Sequence, residues 1–185
     1  MKIKFCGAAS SVTGSCHLIT TDGHKLLIDC GQFQGNKALE ALNAEPFPFD
    51  PEEIDYVILS HAHIDHSGRL PLLVKRGYRG PIYCTDATAD LLGIMLRDSA
   101  YIHEKEAQWA NQKAERSNKP RVEPLYTVQD AEEALKLVKP VLYDQLIPLN
   151  DKIRFVFNDA GHILGSSIVE LWTEENDNVT KLVFS

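Results

Sequence analysis

Three histidines and one aspartate lie within six residues of each other: His61, His63, Asp65 and His66. They directly follow an apolar run at residues 56–59 that is typical of a buried strand. They are therefore expected at the end of that strand, where open α/β sheets place their chemistry. Imidazole and carboxylate are ligands that suit a divalent zinc ion. The alternative is a histidine-rich surface loop, or a helix start that Asp65 caps, but the density of ligand side chains favours a metal site.

The spacing within this cluster indicates how the ligands divide between ions. Side chains alternate along a strand, so His61 and His63, two residues apart, are expected to point into one coordination sphere. Asp65 and His66 are adjacent, so they are expected to diverge and not to join that same ion. They would be available to a second ion a few ångströms away. The spacing therefore predicts two metals.

The His-x-His-x-Asp-His pattern of this cluster resembles the signature motif of the metallo-β-lactamase superfamily. Three further stretches, at residues 7–15, 27–31 and 159–166, resemble the β-CASP branch of that superfamily, whose members are nucleic-acid-processing metallohydrolases. The resemblance covers nearly all of the chain. It implies an α/β fold, the metallo-β-lactamase-type αββα sandwich, and a zinc-dependent hydrolase that processes RNA.

The resemblance also implies roles for two residues outside the cluster. His162 would more often be an ordinary loop histidine if it stood alone, but the resemblance makes it a ligand of the first zinc, beside His61 and His63. Asp29 follows an apolar run, and a buried carboxylate is costly unless it accepts hydrogen bonds. It either caps the loop that follows it or supports the metal site without touching the ion. The resemblance favours the second role, in which Asp29 braces the metal-binding loop.

These ligands suit hydrolysis. Three histidines would leave one zinc position open to water, as in catalytic sites, where the pKa of bound water falls to about 7. A second zinc on Asp65 and His66 would neutralise charge on a phosphoryl oxygen, and Asp65 would also help to orient the nucleophile. The resemblance implies a ribonuclease or a related phosphodiesterase, whereas the ligand set alone implies only hydrolysis. The alternatives are a small-molecule metallohydrolase that acts on a thioester or lactone, and a non-catalytic scaffold subunit.

Composition sets limits on the class of protein. The 185 residues are 44% hydrophobic and 24% charged, which is ordinary for one soluble globular domain. A formal net charge of −7 argues against an extended basic surface for nucleic acid. No run approaches transmembrane length and the chain starts without a signal-peptide pattern, so we expect a cytoplasmic protein without a membrane partner. The four cysteines lack metal-site spacing and are expected to be small buried side chains.

Hydrophobic periodicity predicts strands, then helices, then strands again. The early strands are expected at residues 2–5, 15–20, 25–30 and 55–59, with an Asp-Gly hairpin turn between the second and the third. Helices are expected at residues 70–77, 86–114 and 131–138, with a brief strand at 82–84 and a helix break at 117–120. The late strands are expected at residues 141–143, 152–157, 167–172 and 179–184. Such an order suits two sheets packed face to face between helical layers, and His103, on the long helix, is expected at the surface.

The resemblance further implies that residues 1–185 form a metallo-β-lactamase-like domain truncated before the bridging-aspartate motif and the β-CASP domain. The αββα sandwich would then be incomplete, with its C-terminal part missing. Two zinc ions are expected in the full-length protein and one or none in this chain, which we expect to be weakly active or inactive. The apolar strand at residues 179–184 is an open edge that allows dimerisation.

Overall fold

The computed structural model describes residues 1–115 and 120–185, and its strands form two sheets. The first sheet contains six strands in the order of the sequence. Their bounds are β1 (Lys2–Phe5), β2 (His17–Thr21), β3 (His24–Ile28), β4 (Tyr56–Ile58), β5 (Ile82–Thr85) and β6 (Val138–Val141). The first three are antiparallel neighbours, and β4 to β6 continue the sheet in parallel with β3. Parallel neighbours need long crossovers, so helices lie between these strands in the sequence.

The helices cover one face of the first sheet. Within the described residues the α-helices are α1 (Lys37–Ala41), α2 (Ile64–Ser67), α3 (Leu70–Lys75), α4 (Asp86–Glu115) and α5 (Val128–Leu135), and 3₁₀ turns lie at Leu42–Ala44 and Pro51–Glu53. Apolar residues of α3, α4 and α5 share one core with strand residues such as Leu27 and Val57. The long helix α4 confirms its prediction, while the predicted break at residues 117–120 falls largely outside the described residues.

Local signals explain two of the element boundaries. Asp22 and Gly23 join β2 to β3 with φ values of 46° and 80°, because a two-residue hairpin turn of this type needs positive φ at both positions. Thr127 and Asp130 form a reciprocal capping box at the start of α5. The predicted hairpin and the predicted cap are therefore confirmed, although α5 begins directly after Thr127 rather than at residue 131.

The second sheet is antiparallel and packs on the other face of the first. Its strands are β7 (Ile147–Pro148), β8 (Ile153–Asp159), β9 (Ser167–Glu175) and β10 (Asn178–Phe184), in the order β10-β9-β8-β7. Side chains alternate along β8 and β9, so that Phe155, Phe157 and Leu171 are fully buried. They share a second core with Ile28 and Ile58 of the first sheet.

The layers therefore run from helices to the first sheet to the second sheet. This confirms the α/β prediction of an incomplete αββα sandwich, with one helical layer among the described residues. The strand predicted at residues 141–143 is misplaced, because β6 lies earlier and contains Pro140. β6 is the edge strand of its sheet, where a residue without an amide proton is tolerated.

The ends of four strands meet at one edge of the sandwich. β3 and β4 are parallel neighbours, so Asp29 and the residues that follow Ile58 leave the sheet on the same side. The β8–β9 loop, residues 160–166, reaches this edge because the Ser167 amide donates to the Ser60 carbonyl at 2.9 Å. None of the described helices combines the length and the apolar composition that a membrane span requires.

Candidate metal centre

Three histidine side chains converge at this edge. His61 Nε2 lies 3.1 Å from His63 Nδ1, which in turn lies 3.2 Å from His162 Nε2. One ligand atom from each residue falls within 4.8 Å of the other two. Zinc–nitrogen bonds in a tetrahedral site place ligand atoms about 3.3 Å apart. Two of the three distances match this spacing, and the three nitrogens lie close enough together to bind one zinc ion.

The exposure of these histidines leaves the centre open on one side. His61 is buried, His63 is half-buried and His162 is exposed. Burial and the neighbouring His66 lower the pKa of His61 to about 4. At neutral pH His61 is therefore unprotonated, which is the form in which imidazole binds a metal.

The first histidine loop, residues 60–66, is held mainly by backbone hydrogen bonds. The His63 carbonyl starts α2 by accepting from the His66 and Ser67 amides, each at 2.9 Å. Backbone amides from two neighbouring loops donate to the carbonyls of Ile64, Asp65 and His66 at 2.8 to 2.9 Å. His61 and His63 converge because of this turn after β4, not because they alternate along a strand.

Gly31 lets the adjoining loop approach the first histidine loop. A Cβ atom at position 31 would lie 1.6 Å from the Asp65 carbonyl oxygen, so a larger residue would push the two loops apart. The Gly31 amide also donates to the Ser15 carbonyl, and the Ser15 amide donates to Asp65. The glycine thus permits the close backbone contact that positions Asp65.

Asp29 is the buried anchor of the centre. It is fully buried with a φ of 60°, and its carboxylate accepts from the Ser60 amide at 2.8 Å, the Ser60 hydroxyl at 3.1 Å and the Ser15 hydroxyl at 2.8 Å. His66 Nδ1 lies 2.7 Å from Asp29 Oδ2. These partners lie on and beside the first histidine loop, so the carboxylate reaches towards the centre rather than capping the segment that follows it.

Asp65 and His66 lie beside each other at the centre. Asp65 Oδ2 lies 3.6 Å from His66 Nε2, so the two side chains approach each other instead of diverging, contrary to the expectation from their adjacency. Burial acts to lower the pKa of His66, but the hydrogen bond to Asp29 and the charges of Asp29 and Asp65 outweigh it, and the pKa is raised. Because Asp29 occupies Nδ1, His66 presents Nε2 to the centre.

His162 lies on the second histidine loop, residues 160–166. Its amide and that of Ile163 donate to the Ser166 hydroxyl at 3.1 and 3.2 Å, and the Ser166 amide donates to the Ile163 carbonyl at 2.9 Å. Both the amide and the hydroxyl of Ser167 donate to the Ser60 carbonyl at 2.9 Å. The two histidine loops are therefore joined directly. Sequence reasoning gave none of these serines a role, although Ser60 directly precedes His61 and Ser166 belongs to the stretch at residues 159–166.

His103 lies apart from the centre and is not at the surface as predicted. Its side chain is 20% exposed, and its Nε2 lies 2.9 Å from the Gln32 side-chain nitrogen. Its ring packs edge-on against Tyr126, with ring centroids 4.9 Å apart. Burial lowers the pKa of His103. The prediction failed because it was based on the charged residues that surround His103 in the sequence. In the fold, α4 directs the His103 side chain towards Tyr126, which lies just before α5.

The cysteines agree with their prediction in most respects. All four are free thiols, and Cys16, Cys30 and Cys84 are buried while Cys6 is half-buried. Burial raises the pKa of Cys84 to about 12. This cysteine therefore stays a neutral thiol rather than a thiolate ligand.

Comparisons with known proteins bear on the family of this chain. Residues 11–162 match the family described as the metallo-beta-lactamase superfamily. The chain is 42% identical over 169 residues to ribonuclease TTHA0252 of Thermus thermophilus, covering 91% of this chain and 34% of that protein. It is 34% identical over 173 residues to transcription termination factor FttA of Methanocaldococcus jannaschii, covering 92% and 25%. The chain thus spans about a third or less of the length of these relatives.

Solved structures agree on the fold. The Rm3 metallo-beta-lactamase superposes with a TM-score of 0.56 at 16% sequence identity, covering 99% of this chain and 58% of that one. At this identity the likeness shows the fold alone. The family match over residues 11–162 covers most of the chain and shows its family. The chain belongs to the metallo-beta-lactamase superfamily.

Proposed function

We propose that the chain is the metal-binding domain of a zinc-dependent hydrolase of RNA phosphodiester bonds, of the β-CASP type. The observation that carries this proposal is the convergence of three imidazole nitrogens from loops 99 residues apart in sequence. The names of the relatives, a ribonuclease and a transcription termination factor, support RNA as the substrate class. The resemblance of residues 7–15, 27–31 and 159–166 supports the β-CASP branch.

Each residue of the centre has a proposed role. His61, His63 and His162 hold the first zinc, and Asp65 and His66 contribute to a second. A zinc ion in such a site supplies Lewis acidity, lowering the pKa of a bound water to about 7. Asp65 also orients the attacking water through its partly exposed carboxylate. Asp29 acts through His66, by fixing the ring orientation with the Nδ1 hydrogen bond.

We propose that the two ion sites differ in affinity. The first has three imidazole ligands within reach of one another, whereas the second has a carboxylate and one imidazole. Fewer protein ligands mean weaker binding, so the second site needs further ligands to be filled. We therefore propose that residues 1–185 form one metallo-β-lactamase-like domain with one strong site and weak activity on RNA. The activity of relatives three to four times as long belongs to those whole proteins. The cytoplasmic location and the dimer stay predictions.

A small-molecule metallohydrolase is the second candidate, which the net charge of −7 favours. The superfamily fold accommodates either class of substrate, since function lies in the site rather than in the fold. RNA, a thioester and a lactone are therefore compared as substrates of the same zinc-loaded sample.

The test measures moles of zinc per mole of purified chain, followed by hydrolysis of the three substrates. We expect about one zinc in the wild type, none in His61→Ala and about one in His24→Ala, a matched control at the start of β3. We expect slow RNA cleavage that a chelator and His61→Ala both abolish. A folded wild type without zinc contradicts the metal site. Zinc binding with turnover of a thioester or lactone, but not of RNA, would select the second candidate.

A further inference from the structure

The second histidine loop needs support from outside itself. Residues 160–166 lie between the end of β8 and the start of β9, so strand pairing does not hold them. His162 is exposed, yet its ring nitrogen sits 3.2 Å from that of His63. Contacts elsewhere in the loop must therefore fix its position.

Two threonine hydroxyls at the start of α4 form hydrogen bonds with one carbonyl of this loop. Thr85 Oγ1 lies 2.7 Å and Thr88 Oγ1 lies 2.9 Å from the Gly165 carbonyl oxygen. Both threonines are buried, and their hydroxyls lie 3.0 Å apart. Each hydroxyl has one proton, so both can donate to Gly165. Thr85 Oγ1 then accepts from the Thr88 amide at 3.3 Å and caps α4 as well.

The absence of a side chain at Gly165 allows its backbone to lie close to Thr88. Its φ is 82°, and a Cβ atom there would lie 2.5 Å from the Thr88 amide nitrogen and 2.7 Å from the Thr88 hydroxyl. The carbonyl that accepts from the threonines also lies beside the N-terminal end of α4, where the helix dipole favours a partial negative charge. The loop therefore rests directly on the first turn of this 30-residue helix.

Ser166 connects Gly165 to the backbone of His162. The Ser166 carbonyl accepts from the Tyr143 hydroxyl at 2.8 Å, and its own hydroxyl accepts from the His162 and Ile163 amides. Hydrogen bonds at Gly165 and at Ser166, joined by the peptide bond between these two residues, thus link the start of α4 to the backbone of His162.

We propose that Thr85 and Thr88 are positioning residues that hold His162 at ligand distance from His61 and His63. The proposal rests on the metal site proposed above. Neither threonine touches the centre, so they act through Gly165 and Ser166. Supporting groups that orient metal ligands typically change metal affinity about 10- to 100-fold when removed.

The test is Co²⁺ binding to the full chain, followed by the visible absorption of tetrahedral cobalt. We expect the Thr85→Val/Thr88→Val double variant to bind at least about ten-fold more weakly, with an altered spectrum. Thr85→Ser/Thr88→Ser keeps both hydroxyls and should restore wild-type binding. Thr173→Val is the matched control, because Thr173 is also buried and, within residues 1–115 and 120–185, its hydroxyl donates only to the Met1 sulfur, at 4.0 Å. If the double variant does not fold, Thr88→Val alone replaces it.

A folded valine variant with wild-type cobalt affinity and spectrum would overturn the proposal. Amide hydrogen exchange of His162, Ile163 and Ser166 in the metal-free chain provides an independent readout. We expect faster exchange at these amides in the valine variant and no change in Thr173→Val. If even the wild type binds no cobalt, the metal site fails, while unchanged exchange would separately refute the role of the threonines.

Discussion

The two histidine loops are held in different ways. Backbone amides from neighbouring segments bind three successive carbonyls of the first histidine loop, and that loop leads directly into α2. Side-chain hydroxyls bind the second histidine loop at Gly165 and Ser166, and His162 itself is exposed. The first histidine loop is therefore part of the core, whereas side-chain hydrogen bonds fix the second histidine loop to the core.

This difference predicts that changes to the first histidine loop act mainly on stability, whereas changes to the second act mainly on metal affinity. Breaking the support of the first histidine loop should unfold the protein, because buried polar groups lose their partners. Breaking the support of the second should leave the fold intact and displace one ligand. The three changes below test this division, beginning with the largest expected effect.

Asp29→Ala should cause the largest loss of stability. It leaves the Ser60 amide and the Ser15 and Ser60 hydroxyls without their buried acceptor, and His66 without its partner. We expect the free energy of unfolding of the metal-free chain to fall by about 3–5 kcal/mol, measured in urea. Asp159→Ala is the matched control at the end of β8, next to the second histidine loop, where an exposed carboxylate accepts from the Gly161 amide at 2.8 Å. It should cost about 1 kcal/mol, and equal losses would contradict the comparison.

Gly165→Ala should have the second-largest effect and should act on both stability and binding. A positive φ costs a non-glycine residue about 1–2 kcal/mol, and the new Cβ would also press on the Thr88 amide nitrogen. Gly161→Ala separates these causes, because Gly161 has a φ of 64° but open space around its Cβ position. We expect the free energy of unfolding to fall only by this conformational cost in Gly161→Ala. In Gly165→Ala it should fall further, and zinc binding should be weaker. Urea unfolding and zinc titration check both, and identical behaviour would show that the Thr88 contact is unimportant.

Lowering the pH should have the smallest effect, through His103 behind the first histidine loop. Gln32 joins His103 to this loop, since its amide donates to the Ile64 carbonyl at 2.9 Å and its side-chain nitrogen contacts His103. The same side-chain nitrogen donates to the carbonyl of Gly68, directly after α2, at 3.1 Å. The groups that face His103 are Gln32, Tyr126 and, at 4.0 Å on its own helix, Glu106. Burial lowers the pKa of His103 below its ordinary value of about 6.5, so the unfolded chain binds a proton first as the pH falls. The contribution of His103 to stability should therefore be full above about pH 6.5 and should decline below it.

His103→Gln tests the origin of this decline. Free energies of unfolding of the metal-free chain at pH 7 and pH 5 should differ less in the variant than in the wild type. His17 and His61 also have lowered pKa values and should leave part of the decline in both proteins. An unchanged difference would show that His103 does not contribute.

Local sequence signals predicted much of the fold. The Asp22-Gly23 turn and the Thr127 cap act within a few residues, so their conformations follow from local chemistry. The two-residue strand β7 and the position of β6 were not predictable in this way. β6 exists because the backbone of β5 is available to pair with it, and that partner overrides the local effect of Pro140.

The sequence by itself determined the ligand types of the centre, the closeness of His61, His63, Asp65 and His66 along the chain, and the strand that precedes them. These features depend on neighbouring residues and on the periodicity of one strand. The family resemblance implied roles for His162 and Asp29, but only the tertiary structure shows the contacts of His162 with His63 and of Asp29 with His66. The hydrogen bonds of Thr85 and Thr88 to Gly165 also appear only in the tertiary structure. These contacts join residues 37 to 99 positions apart. Their formation depends on how the two sheets and α4 pack together, which no local pattern encodes.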